Sequence, residues 1–139
     1  MAMAVTVGLV TILTACADGG DDGQTVDVVE SEWVVEPKPA SVEAGDVTFN
    51  VDNQGNEEHE LVIIEGDDPD ALPTKADGSV DEDQLGDVEV GHIEDVPDGD
   101  AKSDTFKLTK GSYILLCNLV DEMGDVHYAE GMVSAFTVT

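Results

Sequence analysis

The stretch "GSYILLCNLVDEMGDVHYAEGMVSAFTVT", from Gly111 to Thr139, holds the pattern that decides the fold. An apolar run ends at Cys117, an acidic loop carrying His127 and Met132 follows, and alternation of apolar and polar residues then resumes. Apolar runs and period-two alternation of this length are typical of β-strands. The segment therefore predicts two strands joined by a loop that holds a thiol, an imidazole and a thioether.

The rest of the chain reads in the same way, as short β-branched runs separated by Gly, Pro and Asp. Val26–Val35 is one such run, with Trp33 as its expected core anchor, and His59–Ile64 is apolar enough to be buried on both faces. Residues 65–88 show no sustained helical period and predict a long connection that crosses between sheets or covers one edge. The pattern predicts an all-β, Greek-key β-sandwich of seven or eight strands over residues 25–139.

The first residues predict an export segment. Ala2–Leu13 is apolar but shorter than the ~20 residues that a membrane span requires. The "LTAC" that follows resembles the lipobox of bacterial and archaeal lipoproteins, although no Lys or Arg precedes the apolar run. The resemblance implies a lipoprotein signal peptide over residues 1–15, lipid on Cys16, a flexible tether over 16–24, and an extracytoplasmic domain anchored to the cell membrane. A plain secretory signal is the alternative.

The charge of the chain is extreme, because 32 acidic residues face five lysines for a net charge of −27. Such a chain is not expected to bind nucleic acid or anionic lipid heads, since both need cationic partners. The acids are spread along the whole sequence, which favours a surface adapted to high salt. Steering toward a basic partner is the second interpretation, and it requires low salt.

Cys117 needs its own explanation, since it cannot form an internal disulfide if Cys16 carries lipid. A small buried hydrophobe is one interpretation. The other is a metal ligand, because two His, one Cys and a weak axial Met form the donor set of type 1 (blue) copper sites. The spacing C-x9-H-x4-M leads from Cys117 to His127 and Met132, and His59 lies upstream at the start of a strand.

These motifs resemble the cupredoxin family, which includes plastocyanins, azurins and lipid-anchored halocyanins. The resemblance lies in the loop "NQGNEEHEL" (Asn53–Leu61), the strand "GSYILLC" and the ending "HYAEGM". It implies one copper ion with His59, Cys117 and His127 as the equatorial ligands. Met132 would be the axial ligand. It further implies outer roles for Asn53 and for Asn118, which would hydrogen-bond across to the His59 loop and fasten the two loops together.

The ligand loop departs from the family pattern. Nine residues separate Cys117 from His127, more than in plastocyanins and azurins and closer to the copper domains of nitrite reductases. Met123 also lies in this loop, but the "GM" before the last strand favours Met132 as the axial ligand. His92 has no partner pattern and is expected to be structural or exposed.

The expected function is electron transport by a monomeric blue copper protein. Redox proteins, which are basic in the steering interpretation, are the expected donor and acceptor and would dock near an exposed edge of His127. A protein that stores or delivers copper without redox turnover is the alternative, although the chain has no CxxC or Met-rich motif. An enzyme is not expected, because additional copper ions need further histidines and only His92 is spare. The acidic loops also lack the spacing of a calcium-binding EF-hand.

Overall fold

The computed structural model describes residues 23–139, and within that range nine strands form two sheets that enclose one core. The strands are β1 (Gln24–Ser31), β2 (Val34–Lys38), β3 (Ser41–Val42), β4 (Gly45–Asn53), β5 (His59–Glu65), β6 (Glu89–Val96), β7 (Ala101–Leu108), β8 (Gly111–Leu116) and β9 (Val133–Val138), and a short helix α1 (His127–Glu130) precedes β9. The all-β sandwich is confirmed, with nine strands where seven or eight were expected.

The sheets mix parallel and antiparallel pairs. One sheet has the order β2-β1-β4-β7, and β1 runs parallel to β4. The other has the order β3-β9-β8-β5-β6, and β3 runs parallel to β9. Strands β5 and β8 are neighbours in the centre of the second sheet. This pairing places the start of β5 and the end of β8, far apart in sequence, at the same end of the sandwich.

The core forms from the alternating faces of the strands. In β4, the side chains of Val47, Phe49 and Val51 are fully buried while the residues between them are only partly buried. Burial of this kind contributes roughly 1.5–3 kcal/mol per large apolar side chain. In β5 six consecutive residues are buried, because the strand is covered on both faces.

The long connection between β5 and β6 covers a sheet face. Its Val80 and Leu85 pack with Ile64 and Leu116 on the outer side of the five-stranded sheet. The predicted crossing between sheets is therefore wrong, since β5 and β6 are hydrogen-bonded neighbours. The connection contains three 3₁₀ turns, at Pro69–Ala71, Glu82–Gln84 and Gly86–Val88.

Two details of the predicted β-structure are corrected. The run Val26–Val35 divides at a turn around Glu32 and Trp33, which separates β1 from β2 and makes the two strands an antiparallel hairpin. Trp33 is only partly buried at the edge of the core, and its ring packs edge-on against His127 with 5.2 Å between centroids. Trp33 therefore packs beside His127 and is not the core anchor that was expected.

The predicted signal peptide (1–15) and Cys16 lie outside the described residues, so the lipid anchor stays a prediction. None of the helices in residues 23–139 is long and apolar enough to cross a membrane.

Candidate metal centre

Three potential ligand atoms converge at the end of the sandwich where β5 begins and β8 ends. Cys117 Sγ lies 3.4 Å from His127 Nδ1 and 3.8 Å from His59 Nδ1, and the two nitrogens are 3.2 Å apart. A point equidistant from three such atoms lies about 2 Å from each, which is close to the length of a metal–imidazole bond. All three side chains are buried. The structure thus brings the three predicted equatorial residues together in a geometry that a single metal ion fits.

Met132 lies beside this group. Its side chain is fully buried in the same core cluster as Cys117, and its backbone carbonyl accepts a 3.1 Å hydrogen bond from the Cys117 N–H. Helix α1 ends at Gly131, whose φ of 116° is a left-handed conformation that favours glycine. This turn brings Met132 back so that its N–H bonds the His127 carbonyl. Met123, the other candidate, is 85% exposed.

The nine-residue ligand loop folds on itself, which explains how Cys117 and His127 meet. Val120 and Val126 form an isolated antiparallel bridge, and the His127 N–H bonds the Leu119 carbonyl at 2.9 Å. The extra length is therefore taken up by a small hairpin beside the site. Cys117 and His127 lie on either side of the bridge that closes this hairpin, so they come together despite the nine residues between them.

The loop before His59 is shaped by Asn53. The Asn53 side-chain amide donates to the carbonyls of Glu57 (2.7 Å) and Val96 (2.9 Å), and its oxygen accepts from the Gly55 N–H at 2.9 Å. These bonds satisfy buried backbone groups and fix the path of the chain into His59. This arrangement supports the outer role expected for Asn53.

Asn118 bonds both to the His59 strand and to the connection after β5. Its backbone N–H donates toward the His59 strand, at 3.3 Å from Glu60 Oε1. Its side-chain oxygen accepts from the Val80 N–H at 2.7 Å, and its amide nitrogen donates to the Val80 carbonyl at 3.0 Å and to Glu82 at 2.6 Å. The side chain therefore ties the ligand strand to the connection that covers the sheet.

The electrostatics of the three donors suit a cation. Burial raises the pKa of the Cys117 thiol to about 12, although the backbone N–H groups of Leu119 and Glu60 donate toward the sulfur and act in the opposite direction. Burial, together with the nearby His127, lowers the pKa of His59 against the influence of Glu32. The lowered pKa favours the neutral form of His59, which can offer a lone pair to a metal. A bound cation would compensate the negative charge that Cys117 gains when it loses its proton.

Two carboxylates lie against the outer nitrogens of the histidines, and sequence reasoning missed both. Glu32 Oε1 is 3.4 Å from His59 Nε2, and Glu57 Oε2 is 3.1 Å from His127 Nε2. Neither contact has the full geometry of a hydrogen bond, so both are close electrostatic contacts. Burial alone would raise the pKa of Glu32, but backbone N–H donors and His59 outweigh it and lower that pKa.

The sequence predicted an exposed edge for His127, but the structure buries this side chain, which lines an open pocket. The side chain is 1% exposed, and the pocket has a volume of about 520 Å³. Four acidic and three apolar side chains line the rest of it, namely Glu57, Glu58, Asp121, Glu122, Leu119, Val120 and Met123. The only approach that this pocket offers to the three converging donors is through the His127 imidazole.

His92 lies outside the cluster of donors. Its Nε2 is 2.9 Å from Glu60 Oε2, and this hydrogen bond, outweighing partial burial, raises the pKa of His92. Glu60 also accepts from the Asn118 N–H. His92 is therefore a half-buried partner of a carboxylate, in keeping with the structural role expected for it.

Comparison with known proteins supports the fold independently of the ligand geometry. No family model and no curated protein matches the chain. Among solved structures, an auracyanin from Roseiflexus castenholzii has a TM-score of 0.62 at 21% identity, covering 84% of this chain and 98% of its own. An azurin from Methylomonas sp. strain J has a TM-score of 0.57 at 15% identity, covering 84% and 98%.

A third match, auracyanin A from Chloroflexus aurantiacus, is described as a "blue" copper protein; its TM-score is 0.55 at 16% identity, covering 83% of this chain and 98% of that one. Matches at these identities establish the architecture, which in all three proteins is that of the cupredoxins. The chain has the cupredoxin fold. At the end of the sandwich where β5 begins and β8 ends, it carries a His–Cys–His–Met group that is suited to one type 1 copper ion.

Proposed function

We propose that the protein is a type 1 copper protein that carries single electrons between redox proteins. The observation that supports this most strongly is the triangle of Cys117 Sγ, His59 Nδ1 and His127 Nδ1, with sides of 3.2–3.8 Å. Thiolate sulfur favours Cu(I), imidazole accepts both oxidation states, and a Met sulfur completes the donor set of blue copper sites. When bound, the copper ion supplies a one-electron couple.

The residues of the chain would hold that ion as follows. His59 and His127 would bind through Nδ1, Cys117 would bind as thiolate after losing its proton, and Met132 would supply the weak thioether donor. Since the Cys117 pKa is about 12 without a metal, binding releases a proton and affinity falls in acid. His59 begins β5, Cys117 directly follows β8, His127 begins α1 and Met132 directly precedes β9. All four side chains are buried. A frame of this kind limits rearrangement when the charge of the site changes.

The acidic pocket at His127 is the proposed docking site for the redox partner. Its four carboxylates and its apolar side chains, including the exposed Met123, favour a partner with basic residues around an apolar contact. An electron would enter or leave through the His127 ring, which separates the pocket from the other donors. The protein itself is proposed to act as a monomer.

Copper storage or delivery is the alternative, and burial of the donors argues against it. Delivery of Cu(I) requires an acceptor thiolate or thioether to reach the metal. Cys117 and Met132 are both 0% exposed, and His127 closes the way from the pocket. Enzyme activity of the multicopper kind is not proposed, because His92 pairs with Glu60 away from the site.

The location of the protein is part of the proposal. The apolar start and the "LTAC" sequence support export and lipid attachment at Cys16. Only this anchor would connect the domain to the membrane, on the extracytoplasmic side. Mass spectrometry of the protein from its native membrane tests this, because lipidation adds a diacylglycerol to residue 16 and removes residues 1–15.

Electrochemistry tests electron transport directly. We expect the copper-loaded protein to give a reversible one-electron wave and to exchange electrons rapidly with a basic c-type cytochrome, more slowly as salt increases. An irreversible wave, with copper passing readily to a Cu(I) chelator, would instead support storage.

Met132→Leu should retain copper but shift the reduction potential, because the axial ligand tunes it. A Met132→Leu variant with the wild-type potential would refute the axial assignment.

A further inference from the structure

Glu32 reaches into the loop that carries His59 from a different part of the chain. It lies in the turn between β1 and β2. Its Oε1 accepts a 2.8 Å hydrogen bond from the Asn56 N–H and a 3.1 Å bond from the Glu57 N–H. Two backbone donors on one carboxylate oxygen fix its position, and charge-assisted bonds of this type are stronger than neutral ones.

The same oxygen also lies close to the outer face of His59. It lies 3.4 Å from Nε2, while Nδ1 of the same ring faces Cys117 and His127. The His59 side chain is fully buried, and Nε2 has no aligned hydrogen-bond partner in residues 23–139. When Nδ1 binds a metal, Nε2 carries the ring hydrogen. That hydrogen then lies close to the carboxylate of Glu32, whose negative charge attracts it without an aligned hydrogen bond.

Gly55 indicates that the loop is built around this carboxylate. A Cβ atom added at Gly55 would collide with the carboxyl group of Glu32. A side chain at position 55 would thus displace Glu32 from the Asn56 and Glu57 N–H groups. The glycine in "NQGNEEH" therefore makes room for a residue more than twenty positions earlier in the sequence.

We propose that Glu32 is a positioning residue for the metal ligand His59, holding its loop through two backbone N–H groups and its ring through Nε2. This inference rests on the proposed copper function. A carboxylate on the outer nitrogen of a ligating histidine orients the ring and makes it a stronger donor. Its negative charge also stabilises the more highly charged oxidation state. Glu32 therefore favours Cu(II) over Cu(I) and lowers the reduction potential.

The test compares the wild type with Glu32→Gln and Glu43→Gln. Glutamine keeps an oxygen that accepts from the Asn56 and Glu57 N–H groups but removes the charge. Glu43 is exposed and lies next to Ala44, which bonds the C-terminal Thr139 at the opposite end of β9 from Met132. Its variant is a matched control for loss of one negative charge.

We expect Glu32→Gln to bind Cu(II) about tenfold more weakly relative to Cu(I), which raises the reduction potential by about 59 mV. The control should leave the potential near that of the wild type. Equal shifts in the two variants would mean a general charge effect and would overturn the proposal, as would no shift in either. A wild type that binds no copper would instead refute the proposed function itself.

Glu32→Ala separates the two roles assigned to the residue, because it removes the acceptor as well as the charge. Hydrogen exchange of the metal-free protein should be faster at the Asn56 and Glu57 amides in Glu32→Ala and close to wild type in Glu32→Gln. Unchanged exchange in Glu32→Ala would overturn the loop-holding role, whether or not the protein is loaded with copper.

Discussion

At the scale of single residues, Glu30 has an unusual environment. It follows Val26 and Val28 on the inward face of β1 and is fully buried. Neither carboxyl oxygen has a hydrogen-bond partner among the described residues. Burial, with a contribution from Glu60, raises the pKa of Glu30 to about 9. The side chain is therefore a neutral acid at pH 7 in the folded protein and an ionised one in the unfolded chain.

This difference predicts a dependence of stability on pH. Between the ordinary pKa of 4.5 and the folded value of about 9, the folded state holds one more proton than the unfolded state. The contribution of Glu30 to the free energy of unfolding therefore falls as pH rises through that window, by at most about 1.4 kcal/mol per pH unit. Urea denaturation of the metal-free protein from pH 5 to pH 8 measures this.

Glu30→Gln should remove that part of the slope, because glutamine does not titrate. Glu43→Gln, an exposed control, should keep the wild-type slope. If Glu30→Gln and the wild type lose stability equally as pH rises, Glu30 is not the group responsible.

Residue chemistry decided which functional side chains could be found from sequence. His59, Cys117, His127 and Met132 were identifiable because histidine and cysteine are rare in this chain and fall at recognisable positions between strands. Glu32 could not be identified, since one carboxylate among 32 acidic residues carries no signal in the sequence. It becomes meaningful only when folding brings the β1–β2 turn to the His59 loop.

At the scale of elements, Asn118 connects the ligand strand to the long connection after β5. Val80 is fully buried, and the Asn118 side chain satisfies both its N–H and its carbonyl. Asn118→Ala leaves these backbone groups without partners, at a cost of roughly 1–3 kcal/mol for each group.

We expect Asn118→Ala to lower the free energy of unfolding by about 2 kcal/mol or more and to speed hydrogen exchange in residues 66–88. Asn50→Ala is the control, since Asn50 bonds the Asp27 side chain at an exposed position. Equal losses of stability in the two variants would contradict the role of Asn118 as the fastening between β8 and the connection.

The elements themselves were only partly predictable. Alternation identified β4 correctly, because one of its faces is buried and the other is not. The turn at Glu32 and Trp33 was missed, since it has neither Gly nor Pro and lies inside a β-branched run. The ligand loop was expected to be unusual for its length, whereas pairing of Val120 with Val126 closes it into a hairpin. Such pairing depends on contacts that periodicity does not record.

At the scale of the whole molecule, the net charge of −27 sets how stability responds to salt. Repulsion among the carboxylates opposes folding, and salt screens it over a Debye length that falls from about 10 Å at 0.1 M to about 3 Å at 1 M. We expect the melting temperature of the metal-free protein to rise by several degrees between these concentrations. A melting temperature that is unchanged or lower in 1 M salt would contradict a surface adapted to high salt.

Absorption and EPR spectra after addition of Cu(II) test the metal centre most directly. The wild-type protein should take up one Cu(II) ion per chain and show an intense visible band from charge transfer between the Cys117 thiolate and copper. Cys117→Ser should lose that band. A wild type without the band, or a serine variant that retains it, would mean that the sulfur and the two ring nitrogens do not share a copper ion.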